Sequence, residues 1–325
     1  MTRFTPPGRL GFGGAAIGNL FEALTNSEAD DALDAAWKAG IRYYDTAPMY
    51  GLGLSEHRLG RSLWQRPREA FVISTKVGRL LEPDESVSSN QYSFVNALKF
   101  KVRFDYSADA TQRSVEDSLQ RLGLATIDIV FIHDVGQDTH GPAWRDRFDE
   151  AMTGAAVALT RMREQRVIRA WGLGVNVVEP CLLALEQADP DLFLLAGRYT
   201  LLDHADGQTL LRACGERNVK LVIGGPYNSG LLAGGSTFDY VPAKTEMLLR
   251  RDRILAICQT HGVALKAAAL QFCAAPDEVA SVIPGSRSSR EIVENAALMA
   301  KDIPEDFWRA LKDQKLIARD VATSS

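Results

Sequence analysis

The chain has 325 residues, 46% hydrophobic and 24% charged, a globular balance that argues against disorder, collagen and coiled coil. Length allows one large domain or two ordinary ones. Its net charge of −4 offers no basic surplus for nucleic acid or an anionic membrane surface.

No apolar run approaches the roughly 18–20 residues of a membrane helix, and Met1 to Leu10 lacks the apolar stretch of a signal peptide. Four cysteines (Cys181, Cys214, Cys258 and Cys273) lie far apart in apolar segments without a CxxC pair. They are expected to be reduced core thiols, neither a disulfide frame nor a metal site. These features predict a soluble, cytoplasmic protein.

Taken in chain order, the expected strands are Arg9–Gly13, Ile41–Asp45, Phe71–Lys76, Ile127–His133, Arg169–Gly174, Leu192–Ala196, Val219–Ile223 and Val279–Ile283. They are apolar and often β-branched, as strands buried on both faces should be. Ser27 precedes an acidic first turn, and Leu33, Ala36 and Trp37 share a helical face before Gly40. Val115, Leu119 and Leu122 form the same stripe before Gly123. Further helices are expected at 55–64, 147–166, 178–188, 206–218, 246–261 and 288–299. The polar tail 318–325 is expected to fray.

Eight strands, each followed by a helix, predict a single-domain α/β (β/α)8 TIM barrel, with an open doubly wound sheet as the alternative. Gly78–Ser107, Asp134–Asp146 and Asn228–Lys244 break the rhythm. Each follows a strand, so in a barrel each rises over the C-terminal face, where barrel sites are built.

Three strand ends carry ionisable groups: Asp45, Lys76 and His133, with Tyr50 five residues beyond the second strand. Barrel closure brings them over one mouth. A phenol beside an ammonium and an imidazole makes an acid/base centre, because a nearby positive charge lowers a tyrosine pKa. A competing motif, Gly11-Phe-Gly13-Gly-Ala-Ala16, fits the GxGxxA dinucleotide fingerprint. It has too little strand before it and opens no helix, so it is read as a first barrel strand whose small residues keep the site floor open.

Asp45-Thr-Ala-Pro-Met-Tyr50-Gly51, then Ser55-Glu56-His57-Arg58-Leu59-Gly60, resembles the signature of the aldo-keto reductases. Ser74-Thr75-Lys76 and Ile132-His133 stand where that family has its lysine and histidine. The resemblance spans Gly11 to Asn295 and implies a nicotinamide-dependent oxidoreductase. It makes Tyr50 the general acid/base, Lys76 its pKa-lowering partner, Asp45 the lysine's counter-ion and His133 an orienter of substrate oxygen. It puts Asn176 at the nicotinamide carboxamide, Asn228, Ser229, Gly230 and Leu231 at the pyrophosphate, and Glu294 with Asn295 at the adenine.

Departures from the family pattern bear on cofactor choice. Many NADP-dependent members have Pro-Lys-Ser where this chain has Pro284-Gly285-Ser286, and an arginine where it has Glu291. Both usual phosphate-binding cations are missing, and Glu291 would repel a 2′-phosphate. Arg287 compensates only in part, so NAD is expected over NADP. Ala196 and Gly224 replace the usual carboxamide glutamine and nicotinamide-stacking tyrosine, which leaves Tyr227 as a candidate for the stacking.

Ala196-Gly-Arg-Tyr-Thr-Leu-Leu-Asp203 and Ile223-Gly-Gly-Pro-Tyr-Asn-Ser-Gly230 resemble a narrower branch of NAD-dependent dehydrogenases. Its members act on L-fucose, D-threo-aldoses, L-galactose and pyridoxal, oxidising a cyclic hemiacetal to a lactone. Tyr92, Phe94, Phe104, His140 and Trp144 in the long segments suit either substrate contact or loop packing. The expectation is an aldose 1-dehydrogenase. Pyridoxal 4-dehydrogenase, an NADPH-dependent aldehyde or ketone reductase and a non-catalytic cofactor sensor are the alternatives. The intact Asp45, Tyr50, Lys76 and His133 argue against the sensor.

Overall fold

Runs of Val, Ile, Leu and Phe with no polar face favour strands covered on both sides, and the chain places eight of them side by side in parallel. The structure, a computed structural model, describes residues 3–324. Its strands are β1 Phe12–Gly13, β2 Tyr43–Asp45, β3 Val72–Val77, β4 Ile129–His133, β5 Ala170–Val175, β6 Leu192–Ala196, β7 Lys220–Gly224 and β8 Val279–Ile283. All eight expected strands are present, with ends shifted by a few residues.

Closure is made by the backbone between β8 and β1. Gly11 N–H donates to the Val282 carbonyl (2.9 Å), Val282 N–H to that of Arg9 (2.9 Å), and Gly13 N–H to that of Pro284 (3.2 Å). An open doubly wound sheet would leave both edges unpaired, so these bonds decide for the barrel. Tyr43, Val72, Phe131, Leu192 and Val222 fill its interior as a separate apolar cluster and floor the site.

The helices are α1 Asn26–Lys38, α2 Leu54–Leu63, α3 Ala108–Leu122, α4 Trp144–Glu150, α5 Ala156–Glu164, α6 Glu179–Gln187, α7 Ala205–Glu216, α8 Thr245–His261, α9 Leu265–Ala274, α10 Ser289–Met299 and α11 Glu305–Asp313. Thr25, not Ser27, caps α1. Its hydroxyl accepts from Glu28 N–H (3.2 Å) while the Glu28 carboxylate accepts from Thr25 N–H (2.8 Å). This reciprocal box satisfies two donors at once, which a Ser27 cap would not. Gly123 ends α3 with φ 62°, as its position after the stripe predicts. The helix expected at 147–166 is α4 and α5 joined through a π-helical turn, Ala151–Ala155.

Two helices are absent from the sequence expectation. Seven of the ten α9 residues are buried, so no polar stripe betrays a helical period. α11 carries a legible one in Phe307, Trp308 and Leu311, all buried. Of the tail expected to fray, Ser325 lies outside the described residues, and residues within 318–324 contact the fold. Val321 is buried, and Ser324 Oγ accepts from Trp308 Nε1 (3.2 Å) and donates to Gln271 Oε1 (3.0 Å). The four cysteines are buried free thiols. Among the described residues no helix is long and apolar enough to cross a membrane.

The three long segments lie beyond strand ends. The first holds an antiparallel hairpin, Arg79–Pro83 against Phe100–Phe104. The second holds one helical turn, Gln137–His140, before α4. The third holds a small hairpin, Thr237–Phe238 against Val241–Pro242, with Asp239 and Tyr240 at its tip.

Candidate active site

β2 ends on Asp45, and the register opposes Asp45 to Ser74, two residues before Lys76. Side chains alternate along a strand, so Ser74 and Lys76 face the same side. Lys76 Nζ donates to Asp45 Oδ2 (2.7 Å) and the Thr46 carbonyl (2.8 Å), and Ser74 Oγ donates to Asp45 Oδ1 (2.7 Å). Both charges are 1% exposed. Gly174 on β5 makes the room: a Cβ there would sit 3.4 Å from Lys76 Cε and 3.2 Å from Phe131 Cβ.

Tyr50 lies over this pair, with Lys76 Nζ 4.6 Å from its ring centroid. The His133 ring stands edge-on to it at 6.1 Å. The structure therefore brings Asp45, Tyr50, Lys76 and His133 together, as barrel closure predicts.

It reverses one expectation. The Tyr50 phenol is pushed well above its ordinary value by burial, and the Asp45 and Asp134 carboxylates push it further. Arg79 is the cation that opposes them. Lys76, paired with Asp45 at 2.7 Å, does not outweigh the burial that raises the phenol. His133 is held well below its ordinary value by burial, then by Arg79 and Lys76, so it is neutral at pH 7.

The second half of the signature is scaffolding. Ser55 Oγ donates to the Gly14 carbonyl (2.8 Å), tying α2 to the loop after β1. Buried Glu56 accepts from Thr75 Oγ1 (2.7 Å) and Arg121 Nε (2.6 Å), and Arg58 donates to the carbonyls of Ile17 and Leu24 (2.7 Å each). A Cβ on Gly11 would lie 2.8 Å from Ile283 Cγ2 and one on Gly13 3.0 Å from the Ile283 carbonyl oxygen, so the glycines of the GxGxxA match serve close strand packing.

Two cavities meet at Tyr50. An inner pocket of about 210 Å³ is bordered by Tyr50, Lys76, Arg79, Tyr92, Phe94, His133 and Asp134. An outer cleft of about 780 Å³ runs from Tyr50 and Asn176 past Gly224 and Gly225 to Glu294 and Asn295. Its small-residue walls suit an extended dinucleotide. Asn228 adds a second sign of fit: its side chain is buried, and Oδ1 has no partner among the described residues.

The expected cofactor residues divide. Asn176, Tyr227, Asn228, Ser229, Gly230, Gly285, Arg287, Glu291, Glu294 and Asn295 border the outer cleft. Leu231 and Ser286 are buried and do not border it. The amides of Asn228, Gly230 and Leu231 donate to the carbonyls of Gly225, Tyr227 and Asn228, so the turn consumes them internally. Asn295 accepts from the Tyr227 hydroxyl (2.6 Å) and donates to Ser286 Oγ (3.0 Å), while Glu294 pairs with Lys266 at 2.6 Å. Tyr227 is thereby tied to α10, which sets it against the nicotinamide-stacking role.

Of the loop aromatics, Tyr92 and Phe94 border the inner pocket. Phe104 and His140 meet edge to face (4.7 Å), and Trp144 packs on Phe148 (6.4 Å). Those three are loop packing.

Sequence reasoning missed Arg79, Asp134, Arg198 and Tyr240. Arg79 Nη2 pairs with Asp134 Oδ2 at 2.5 Å, both buried. Arg198 donates to the Asn176 carbonyl (3.0 Å) and pairs with Asp203 (2.8 Å) and Asp239 (2.6 Å), anchoring the hairpin tip. Tyr240 borders both cavities and faces Phe21 at 6.2 Å. A charged residue immediately past a strand end was the available signal for Asp134; Arg79 lies beyond Gly78 in a segment that reads as loop.

A family model described as the aldo/keto reductase family matches residues 9–315. The chain is 41% identical over 323 residues to a pyridoxal 4-dehydrogenase of Microbacterium luteolum, covering 95% of this chain and 94% of that relative. It is 40% identical over 319 residues to a D-threo-aldose 1-dehydrogenase of a Pseudomonas species, with the same coverage. Among solved structures it is similar to the holo form of aldo-keto reductase AKR11C1 from Bacillus halodurans, with TM-score 0.74 and 23% identity, covering 100% of this chain and 98% of that one. That last likeness supports the fold alone.

Proposed function

The chain belongs to the aldo/keto reductase family, and on that premise we propose that it oxidises a cyclic hemiacetal to its lactone with NAD. It is an NAD(P)-dependent oxidoreductase acting on CH–OH groups. The finer reading rests on one observation above all. A buried Asp45–Lys76 pair lies beneath the Tyr50 ring where the inner pocket meets the outer cleft.

In this reading Tyr50 takes the proton of the hemiacetal hydroxyl, and His133 donates a hydrogen bond to the same oxygen. Lys76 and Asp45 hold the ring's underside rigid and dry. A nicotinamide dinucleotide in the outer cleft supplies the hydride acceptor for the carbon, and the C–O bond becomes the lactone carbonyl. Asn176 borders both cavities, and in this reading it holds the carboxamide end.

The substrate is an aldose such as L-fucose or a D-threo-aldose. Pyridoxal is the second reading, favoured by Tyr92 and Phe94 on the inner pocket, whose faces suit a planar ring. Initial rates of NAD and NADP reduction with L-fucose, D-arabinose, L-galactose and pyridoxal test both. Turnover of at least one hemiacetal with NAD is expected. Reduction of open-chain aldehydes with NADPH, without oxidation of any of the four, would refute the dehydrogenase reading.

Cofactor preference follows from how the charges near α10 are spent. Glu291 accepts from Arg287 N–H (2.8 Å), so its carboxylate occupies the helix N-terminus where a phosphate would bind. The Arg287 side chain is drawn away to Glu22. NAD should therefore have the higher kcat/KM. Gly285→Lys with Glu291→Arg should shift preference toward NADP by at least ~10-fold, since each charge-assisted contact is worth about 1.5–3 kcal/mol. A wild-type enzyme that prefers NADP would instead assign the phosphate to Arg287 or to Arg290, which also borders the cleft.

A further inference from the structure

Asp134 follows β4 directly and has φ 48°, a left-handed conformation that aspartate and asparagine adopt more readily than other residues with a side chain. Three interactions hold its backbone there. Its N–H donates to the Gly174 carbonyl (2.9 Å), and the Tyr106 hydroxyl donates to its carbonyl (3.2 Å) and to that of His133 (2.8 Å).

The carboxylate is a junction. Oδ2 lies 2.5 Å from Arg79 Nη2 and 3.3 Å from His133 Nε2, and Oδ1 accepts from Asn176 Nδ2 at 3.4 Å. Three strand ends thus meet on one buried side chain. His133 Nδ1 is also buried and has no partner among the described residues.

A neutral imidazole carries one N–H, and its neighbours decide on which nitrogen. A lone pair on Nε2 would face a carboxylate oxygen at 3.3 Å and be repelled, whereas an N–H there is attracted without being consumed, since the contact is not a hydrogen bond and leaves the proton to donate to substrate. Arg79 neutralises the same carboxylate, so the pair does not draw a second proton onto the ring. We propose that Asp134 is a positioning residue: it holds neutral His133 as the Nε2–H tautomer, the donor toward substrate oxygen, and through Oδ1 it orients Asn176 toward the cofactor cleft.

This inference rests on the reading of His133 and Asn176 given above, and its first readout needs no turnover. In protein labelled with ¹⁵N-histidine, the protonated and bare ring nitrogens have distinct shifts. His133→Gln assigns the signal among the five histidines. The wild-type enzyme at pH 7 should show His133 as Nε2–H. Asp134→Asn should lose that single tautomer.

Asp134→Asn leaves Arg79 buried without its carboxylate and is at risk of misfolding. The companion variant Asp134→Asn with Arg79→Met removes both charges and should lose the tautomer in a folded protein. In either folded variant kcat should fall on the order of 10–10²-fold, as expected for a misplaced donor. The dissociation constant for NAD, read by quenching of intrinsic fluorescence, should rise severalfold.

A wild-type Nδ1–H tautomer, or an unchanged Nε2–H signal in the folded double variant, would overturn the proposal and leave Arg79–Asp134 as a structural ion pair. If no hemiacetal is oxidised while the tautomer behaves as stated, the substrate reading fails and the role of Asp134 stands. If hemiacetals are oxidised normally by a variant whose tautomer is unmoved, Asp134 fails and the substrate reading stands.

Discussion

Tyr50→Phe should lower turnover by about 10²–10⁴-fold, the usual worth of a positioned general acid or base. Affinity for the dinucleotide should stay within a few-fold. The substitution removes one oxygen and no packing: the Phe94 ring at 6.1 Å and the Lys76 ammonium at 4.6 Å keep their ring to rest on. Fluorescence titration beside steady-state rates separates the two effects. A variant that keeps most of its turnover would remove Tyr50 from the chemistry.

The same residue sets a pH dependence. Oxidation needs the phenolate, and burial with the Asp45 and Asp134 carboxylates holds the Tyr50 phenol above its ordinary value of about 10. The deprotonated fraction therefore grows tenfold for each unit of pH throughout the neutral and mildly alkaline range. kcat/KM for oxidation should climb without a plateau below pH ~10. Reduction by the same enzyme needs the protonated phenol and should be flat over that range. Arg79→Gln removes a cation that opposes the shift and should displace the oxidation limb further toward alkali. An oxidation profile that levels off near pH 7 would show that the phenol is depressed instead.

Lys76→Met should cost both activity and stability. Asp45 is 1% exposed, and Lys76 at 2.7 Å is its cationic partner. Breaking a buried pair by removing one member typically destabilises by about 3–5 kcal/mol. The loss depends on pH with a definite sign. Burial raises the Asp45 carboxyl, and Lys76 opposes that rise. Without Lys76 the folded-state value climbs further. A group raised in the folded state contributes stability below its unfolded value, and that contribution is lost as pH rises through the folded value.

The deficit of Lys76→Met relative to the wild type should therefore be largest at neutral and alkaline pH and shrink in acid. Thermal unfolding between pH 5 and 8 measures it. Lys76→Met with Asp45→Asn removes both charges and should recover most of the stability, because a buried pair replaced as a pair is often neutral. Activity should not return with it, since the ammonium under the phenol is still gone. Recovery of both would mean that Lys76 only compensates Asp45.

The corrections share a physical pattern. Ser27 gave way to Thr25 because a cap is decided by a pair of side chains three residues apart, Thr25 with Glu28, not by one polar residue before a stripe. α9 was hidden because burial on nearly all sides erases periodicity. Arg79 sits in a segment that reads as loop, yet its hairpin carries it back to the inner pocket beside Tyr50.

The cofactor side shows the same limit at the level of single groups. Asn228, Gly285 and Asn295 were named from the sequence and do border the cleft. Whether their polar atoms are free to bind is another matter. Asn228 keeps Oδ1 unpartnered, while Asn295 spends its amide on Tyr227 and Ser286.

By itself the sequence determined the strand order and the identities of Asp45, Tyr50, Lys76 and His133. Buried strands are written as contiguous apolar runs, and a parallel barrel must gather consecutive strand ends over one mouth. Only the tertiary structure decided the electrostatics inside that mouth. The rise of the Tyr50 phenol, the neutrality of His133 and the partners of Asp134, Arg287 and Glu291 depend on distances between residues remote along the chain and on exclusion of water. Neither is set by the identity of a residue or its neighbours in sequence; both follow from which side chain is nearer when the barrel has closed.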